Sequence, residues 1–155
     1  MERDIEKAIR GLSFRMRLLK AKQEDKTTSE VLTEREVMIL GLLRERGRLS
    51  VSQIAAADHN VSDSTISTDV TKLWRDKEMV TKTISPENQR TTIVELTDKG
   101  KKAVGLVQEQ RAERFKALFK AINVTDDEKQ ILMTVLSRAI THLDKHLGLN
   151  KSIEK

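Results

Sequence analysis

The stretch that decides the fold is residues 61–100, VSDSTISTDVTKLWRDKEMVTKTISPENQRTTIVELTDKG. Its first part is helical: Ser62 is a good N-cap, and Ile66, Val70, Leu73 and Trp74 recur as one apolar stripe. Steps of about 100° per residue put Ser64, Thr65, Thr68, Thr71, Lys72 and Arg75 on the side away from that stripe. From Met79 the period drops to two. Val80, Lys82 and Ile84 alternate with threonines, and Thr92, Val94 and Leu96 form a second alternating set, which predicts two short antiparallel strands. The segment between them, Ser85-Pro86-Glu87-Asn88-Gln89-Arg90, is turn chemistry and holds the only proline of the chain. A helix with a hydroxyl-rich and basic outer face is thus followed by a hairpin with an exposed tip.

Upstream, Thr33 and Glu36 read as a capping box opening a helix through Val37, Leu40 and Leu43, and Gly47 suits its end. Ser50 and Gln53 repeat the capping signature for a short helix carrying Ile54 and Ala55, which finishes near His59 and Asn60. Before these, Ile5, Ala8, Ile9, Leu12, Met16 and Leu19 mark an amphipathic first helix, and the polar run Gln23 to Ser29 interrupts the pattern. Downstream, Thr97 caps a long helix through Val104, Val107, Phe115, Leu118 and Phe119. Thr125 and Glu128 then form a capping box for a last helix that carries Ile131, Leu132, Val135, Leu136, Ala139, Ile140, Leu143 and Leu147.

The expected fold class is therefore mainly α with a small β-hairpin. It is organised as one domain over 1–155, with a winged helix-turn-helix lobe at 33–100 and a helical dimerisation region at 1–32 and 101–155. The middle of the chain closes a small core by itself. The first, fifth and sixth helices carry wide apolar faces that one subunit cannot cover, so the expected partner is a second copy in a homodimer.

Composition narrows the function. The chain has 155 residues, 29 basic and 24 acidic, and a formal net charge of +5, which leans toward a polyanionic partner. Aromatic residues are 3% of the chain, too few for a stacking platform for single-stranded bases. No apolar run approaches the ~20 residues that span a bilayer, and the amino terminus is charged and amphipathic rather than a signal peptide, so a cytoplasmic location without membrane is expected. The lack of cysteine excludes thiolate zinc sites and cysteine redox sensing.

The helix–turn–helix–hairpin order suits duplex DNA as the partner. An α-helix fits the major groove, where Ser and Thr bond to either kind of base edge, Lys72 and Arg75 reach guanine or phosphate, and threonine methyls touch thymine. Gln89 and Arg90 at the hairpin tip suit the minor groove or phosphate. Ser50 and Ser52 can meet a phosphate through hydroxyls and free backbone amides, although plain helix capping is their other role. A Ser/Thr-rich helix seen alone is usually a solvated surface. The hairpin after it and the capped helix before it favour DNA over that reading.

No catalytic residues are expected, because the chain shows neither a glycine-rich phosphate loop nor a nucleophile elbow. His142 and His146 stand four apart on one helix, but without a third ligand or an intervening zincin-type Glu no metal is expected. No other cofactor is expected either. Asp126 and Asp127 favour the dipole of the helix they open. Gly11, Gly41 and Gly105, inside helices, are candidate points of close packing.

Over nearly its whole length the sequence resembles the MarR family of dimeric winged-helix regulators. Thr33-Glu34-Arg35-Glu36 through Leu43 is similar to the family's second helix, Val51 to Ala57 to its third, and Val61 to Trp74 to its recognition helix. The most specific match is Ser85-Pro86-Glu87-Asn88-Gln89-Arg90 followed by Val94-Glu95-Leu96-Thr97-Asp98-Lys99-Gly100, similar to the family's D-P-x-D-R-R…V-x-L-T-x-x-G pattern. Ser85 and Asn88 replace acidic residues of that pattern, Gln89 replaces one arginine, and Glu78 stands where glycine is common. Arg90 matches the wing arginine. The resemblance implies binding to pseudo-palindromic operators, usually in repression, and release by a small anionic or aromatic effector. The alternative is a helical protein-interaction module on the same scaffold, and an enzyme is the third reading.

Overall fold

A computed structural model of the chain describes residues 1–24, 32–58 and 61–147. The chain divides into two units, Met1–Thr33 and Glu34–Lys155. The first contains helix α1, Glu2–Glu24, with acidic residues in its first turn and Lys22 in its last, as the helix dipole favours. Its Ile5, Ile9, Leu12, Phe14 and Leu18 are exposed.

The second unit runs α2 (Glu34–Arg46), β1 (Leu49–Ser50), α3 (Val51–Ala57), α4 (Asp63–Arg75), β2 (Val80–Ile84), β3 (Thr92–Leu96), α5 (Asp98–Ala121) and α6 (Asp126–His146). Gly47 closes α2 at φ +79°, its N–H donating to the Leu43 carbonyl at 2.9 Å. Ser50 caps α3 reciprocally: the Gln53 N–H donates to Ser50 Oγ at 3.1 Å and the Ser50 N–H donates to Gln53 Oε1 at 2.8 Å. Thr125 and Glu128 build the same box for α6, while Ser62 and Thr97 cap α4 and α5. His59 and Asn60, where the short helix was expected to end, lie outside the described residues, and α3 closes on Asp58.

The sheet is three-stranded, in the order β1-β3-β2 and antiparallel throughout. The hairpin pair follows the alternation of the sequence, Val80 opposite Leu96, Lys82 opposite Val94 and Ile84 opposite Thr92. Strand β1, with Leu49 opposite Val94, adds a third strand that periodicity cannot reveal, because two residues contain no period.

Ile39, Leu40, Leu43, Ile54, Ile66, Val70, Leu73, Val80, Val94 and Val104 are buried and form one core joining α2, α3, α4, the hairpin and the start of α5. Two backbone devices fix its edge. Glu78 ends the turn after α4 at φ 55°, the left-handed position where glycine is the usual choice. Gly100, in the first turn of α5, passes so close to Met79 that a Cβ would sit 2.0 Å from the Met79 carbonyl oxygen. No residue of α6 is buried, and Ile131, Leu132, Val135, Leu136, Ile140 and Leu143 stand exposed along it. No described helix is long and apolar enough to cross a membrane.

Candidate nucleic-acid interface

Helix α4 packs Ile66, Val70 and Leu73 into the core at no measurable exposure, which turns the opposite face outward. Ser64, Thr68, Lys72 and Arg75 are exposed on that face, whereas Thr65 and Thr71 are half-buried at its margins. The serine and threonine hydroxyls are already oriented. Thr68 Oγ1 donates to the Ser64 carbonyl at 2.9 Å, and Ser62 Oγ lies 3.0 Å from both Ser64 Oγ and Thr65 Oγ1.

Thr71 departs from the helical-wheel expectation. Its hydroxyl donates to the Ser67 carbonyl at 2.8 Å and accepts from Lys82 Nζ of β2 at 3.1 Å, so the hairpin meets it at the margin of that face. The wheel treats the helix as isolated and has no knowledge of the strand beside it. Lys82 and Trp74, which the sequence reading did not assign to the site, meet at the same corner. Lys82 Nζ stands 5.3 Å from the Trp74 ring centroid, and the Arg75 guanidinium 5.6 Å from it.

The acids of α4 are held by partners on neighbouring helices. Asp69 pairs with Arg35 of α2 at 3.1 Å and is 14% exposed, and Asp63 accepts from Ser52 Oγ at 2.8 Å. The Asp69 charge is therefore offset by Arg35, Asp63 keeps its charge at the start of the helix while bonded to Ser52, and Lys72 and Arg75 supply the positive charge of the outward face. Ser52 is exposed and ties α3 to the start of α4, while Ser50 is buried and its hydroxyl serves as the cap.

At the hairpin tip Gln89 and Arg90 are exposed. The tip is folded by Asn88, whose side-chain oxygen accepts from the Arg90 N–H at 3.1 Å and whose carbonyl accepts from the Thr91 N–H at 2.9 Å. Asparagine at this place does the turn-forming work that an aspartate would do, without adding a negative charge beside Arg90.

Elsewhere, a cleft of about 650 Å³ between the end of α2, β3 and the start of α5 is lined by Leu43, Leu96, Arg44, Arg48, Lys101 and Lys102, with Gly47 and Glu95. Arg44 donates to the Lys101 carbonyl at 3.2 Å, and its Nη1, the end of a flexible side chain, would lie 2.9 Å from a Cβ on Gly105, whereas a Cβ on Gly41 would meet nothing within 4 Å, so Gly41 is not a point of close packing. His142 and His146 stack at 6.4 Å between ring centroids. Among the described residues no group of three or more His, Asp or Glu side chains could hold a metal ion.

Helix α4 followed by the β2–β3 hairpin, with α2 and α3 packed behind, is a winged helix-turn-helix, and residues 32–92 match the model of the MarR family. Over those residues the chain is similar to the MarR family. Solved MarR-type structures extend the likeness over most of the chain at the level of fold. A MarR family protein from Bacillus stearothermophilus superposes with a TM-score of 0.71 at 19% identity, covering 92% of this chain and 97% of that one. FabT of Streptococcus pneumoniae, solved in complex with DNA, gives 0.68 at 16% identity over 97% and 100% of the two chains. BpsR of Bordetella bronchiseptica, whose DNA binding is regulated by 6-hydroxynicotinic acid, gives 0.60 at 18% identity over 88% and 98%. No curated protein matches the sequence.

Proposed function

We propose that this chain is a cytoplasmic, homodimeric transcription regulator, a repressor rather than an enzyme, that binds pseudo-palindromic duplex DNA. The observation that carries the reading is the outward face of α4: Ser64, Thr68, Lys72 and Arg75 exposed together while Asp63 and Asp69 are engaged by Ser52 and Arg35. In a major groove these side chains meet base edges and phosphates, and Arg90 on the wing meets a phosphate or the minor groove. The DNA complex of the similarly folded FabT supports the same partner. A second copy of the chain supports two-fold operator binding, and the bare apolar length of α6 supports that second copy.

Release by a small anionic ligand belongs to this reading. The cationic cleft beside Arg44 and Lys101 supports it, as does the ligand-regulated DNA binding of BpsR. With benzoate as the probe anion, duplex affinity should fall in the wild type and hold in Arg44→Ala; equal sensitivity of the two proteins places the ligand elsewhere.

The test of DNA binding itself is affinity for duplex DNA across a salt series. A chain that neutralises several phosphates loses affinity steeply and log-linearly with salt. Binding only to protein partners, or duplex affinity insensitive to salt, favours the interaction-module alternative.

A further inference from the structure

Strand β2 and helix α4 are joined at one corner by polar contacts rather than by core packing. Val80, Lys82 and Ile84 share one face of the strand. Val80 is buried in the core and Ile84 is 66% exposed at the wing, so Lys82 stands where the core gives out. Its ammonium has two partners on α4, the Thr71 hydroxyl at 3.1 Å and the Trp74 ring at 5.3 Å. A cation over an indole face is attracted by the ring quadrupole, and a charged donor strengthens the bond to the hydroxyl. Thr71 is itself fixed, because its own proton goes to the Ser67 carbonyl. The lysine is thereby held by a hydroxyl and a ring one helical turn apart on α4, at the root of a hairpin whose tip carries Arg90.

We propose that Lys82 is a positioning residue for DNA recognition: bonded to Thr71 and seated on Trp74, it locks the wing to the recognition helix so that both engage one duplex as a unit. Lys82 thus acts through Arg90 and the α4 face, and its charge is spent inside the protein. This rests on the DNA-binding reading above.

The experiment uses the full chain and a duplex selected for tight binding. Affinity is measured over a salt series for wild type, Lys82→Met, Thr71→Val, their double variant, Lys82→Arg, and Arg90→Ala in the wild-type and Lys82→Met backgrounds. Trp74, the only tryptophan of the chain, reports on the lock before DNA is added, since losing the cation changes its emission. The expected result is that Lys82→Met and Thr71→Val each weaken binding about tenfold, equivalent to ~1.4 kcal/mol of coupling. Their double variant should be no worse than either alone, and Arg90→Ala should cost less once Lys82 is gone. The salt slope should be unchanged in Lys82→Met, and Lys82→Arg should restore binding. Thr71→Val keeps the β-branched shape and tests the lock even if Lys82→Met folds poorly. A salt slope lower by about one unit in Lys82→Met would show that Lys82 contacts a phosphate directly and overturn the positioning role. Unchanged affinity in Lys82→Met and Thr71→Val would overturn it as well, while wild-type binding leaves the DNA-binding reading standing. A wild type with no duplex affinity removes both.

Discussion

Lys77, just beyond α4, places its Nζ 2.6 Å from Oε2 of Glu36 on α2, and the Glu36 side chain is only 3% exposed. The pair ties the end of α4 to the helix behind it, across 41 residues of sequence. Breaking a buried pair costs about 3–5 kcal/mol where nothing else meets the remaining charge, and Glu36 keeps a further partner. Lys77 keeps 20% exposure, so water offsets part of this. Lys77→Met should therefore destabilise the lobe by roughly 2–3 kcal/mol in urea unfolding. A loss of only a few tenths would mean that the ion pair does not hold α4 in place.

Glycine and left-handed positions give a second set of expectations in the same assay. Gly100→Ala drives a methyl to 2.0 Å from the backbone oxygen of Met79, a clash relieved only by moving the start of α5, so a loss above ~3 kcal/mol is expected. Gly41→Ala, in the middle of α2 with nothing within 4 Å of the added carbon, should gain up to about 1 kcal/mol. Glu78→Gly should gain roughly 0.5–1 kcal/mol by removing the left-handed penalty at φ 55°. Equal effects of the two alanine substitutions would contradict the packing described at Met79.

These positions also show where the sequence was legible. The Ser50/Gln53 and Thr125/Glu128 boxes are local hydrogen-bond patterns, fixed by a three-residue spacing, and both form as the spacing implies. The hairpin register follows the two-residue alternation from Val80 to Leu96, because strand side chains alternate between faces. Glu78 stood out in sequence as a non-glycine at a position where the MarR family favours glycine, and its positive φ supplies the cause. What could not be read were contacts between elements distant in sequence. Glu36, read as half of a local cap, also pairs with Lys77 of a distant segment, and Thr71, read as outward, also bonds to Lys82 of β2. Periodicity locates a face but not the neighbour that packs on its margin.

The exposed apolar face of α6 predicts that a charge placed on it separates subunits. Leu136, 44% exposed, lies midway along the helix. Leu136→Glu should shift the sedimentation of the chain from dimer to monomer at micromolar concentration while the winged-helix lobe stays folded. A wild-type monomer under the same conditions would remove the basis for two-fold operator binding.

Within the DNA interface, the wing and helix should fail differently. Arg90→Ala should weaken all sequences nearly alike and lower the salt slope by about one unit if it neutralises one phosphate. Thr68→Ala or Lys72→Ala should relax preference at one or two base positions by about 1–3 kcal/mol. All three side chains are exposed, so folding should survive each change. Unchanged discrimination in both helix variants would mean that another face of α4 reads the bases.

The most direct test of the central claim is selection of bound fragments from a pool of random duplex DNA by the purified full chain, followed by footprinting of the enriched sequence. The account predicts an inverted repeat with half-sites centred about one helical turn, about 34–36 Å, apart, both protected. A pool that shows no enrichment, or protection of a single isolated half-site, would contradict it.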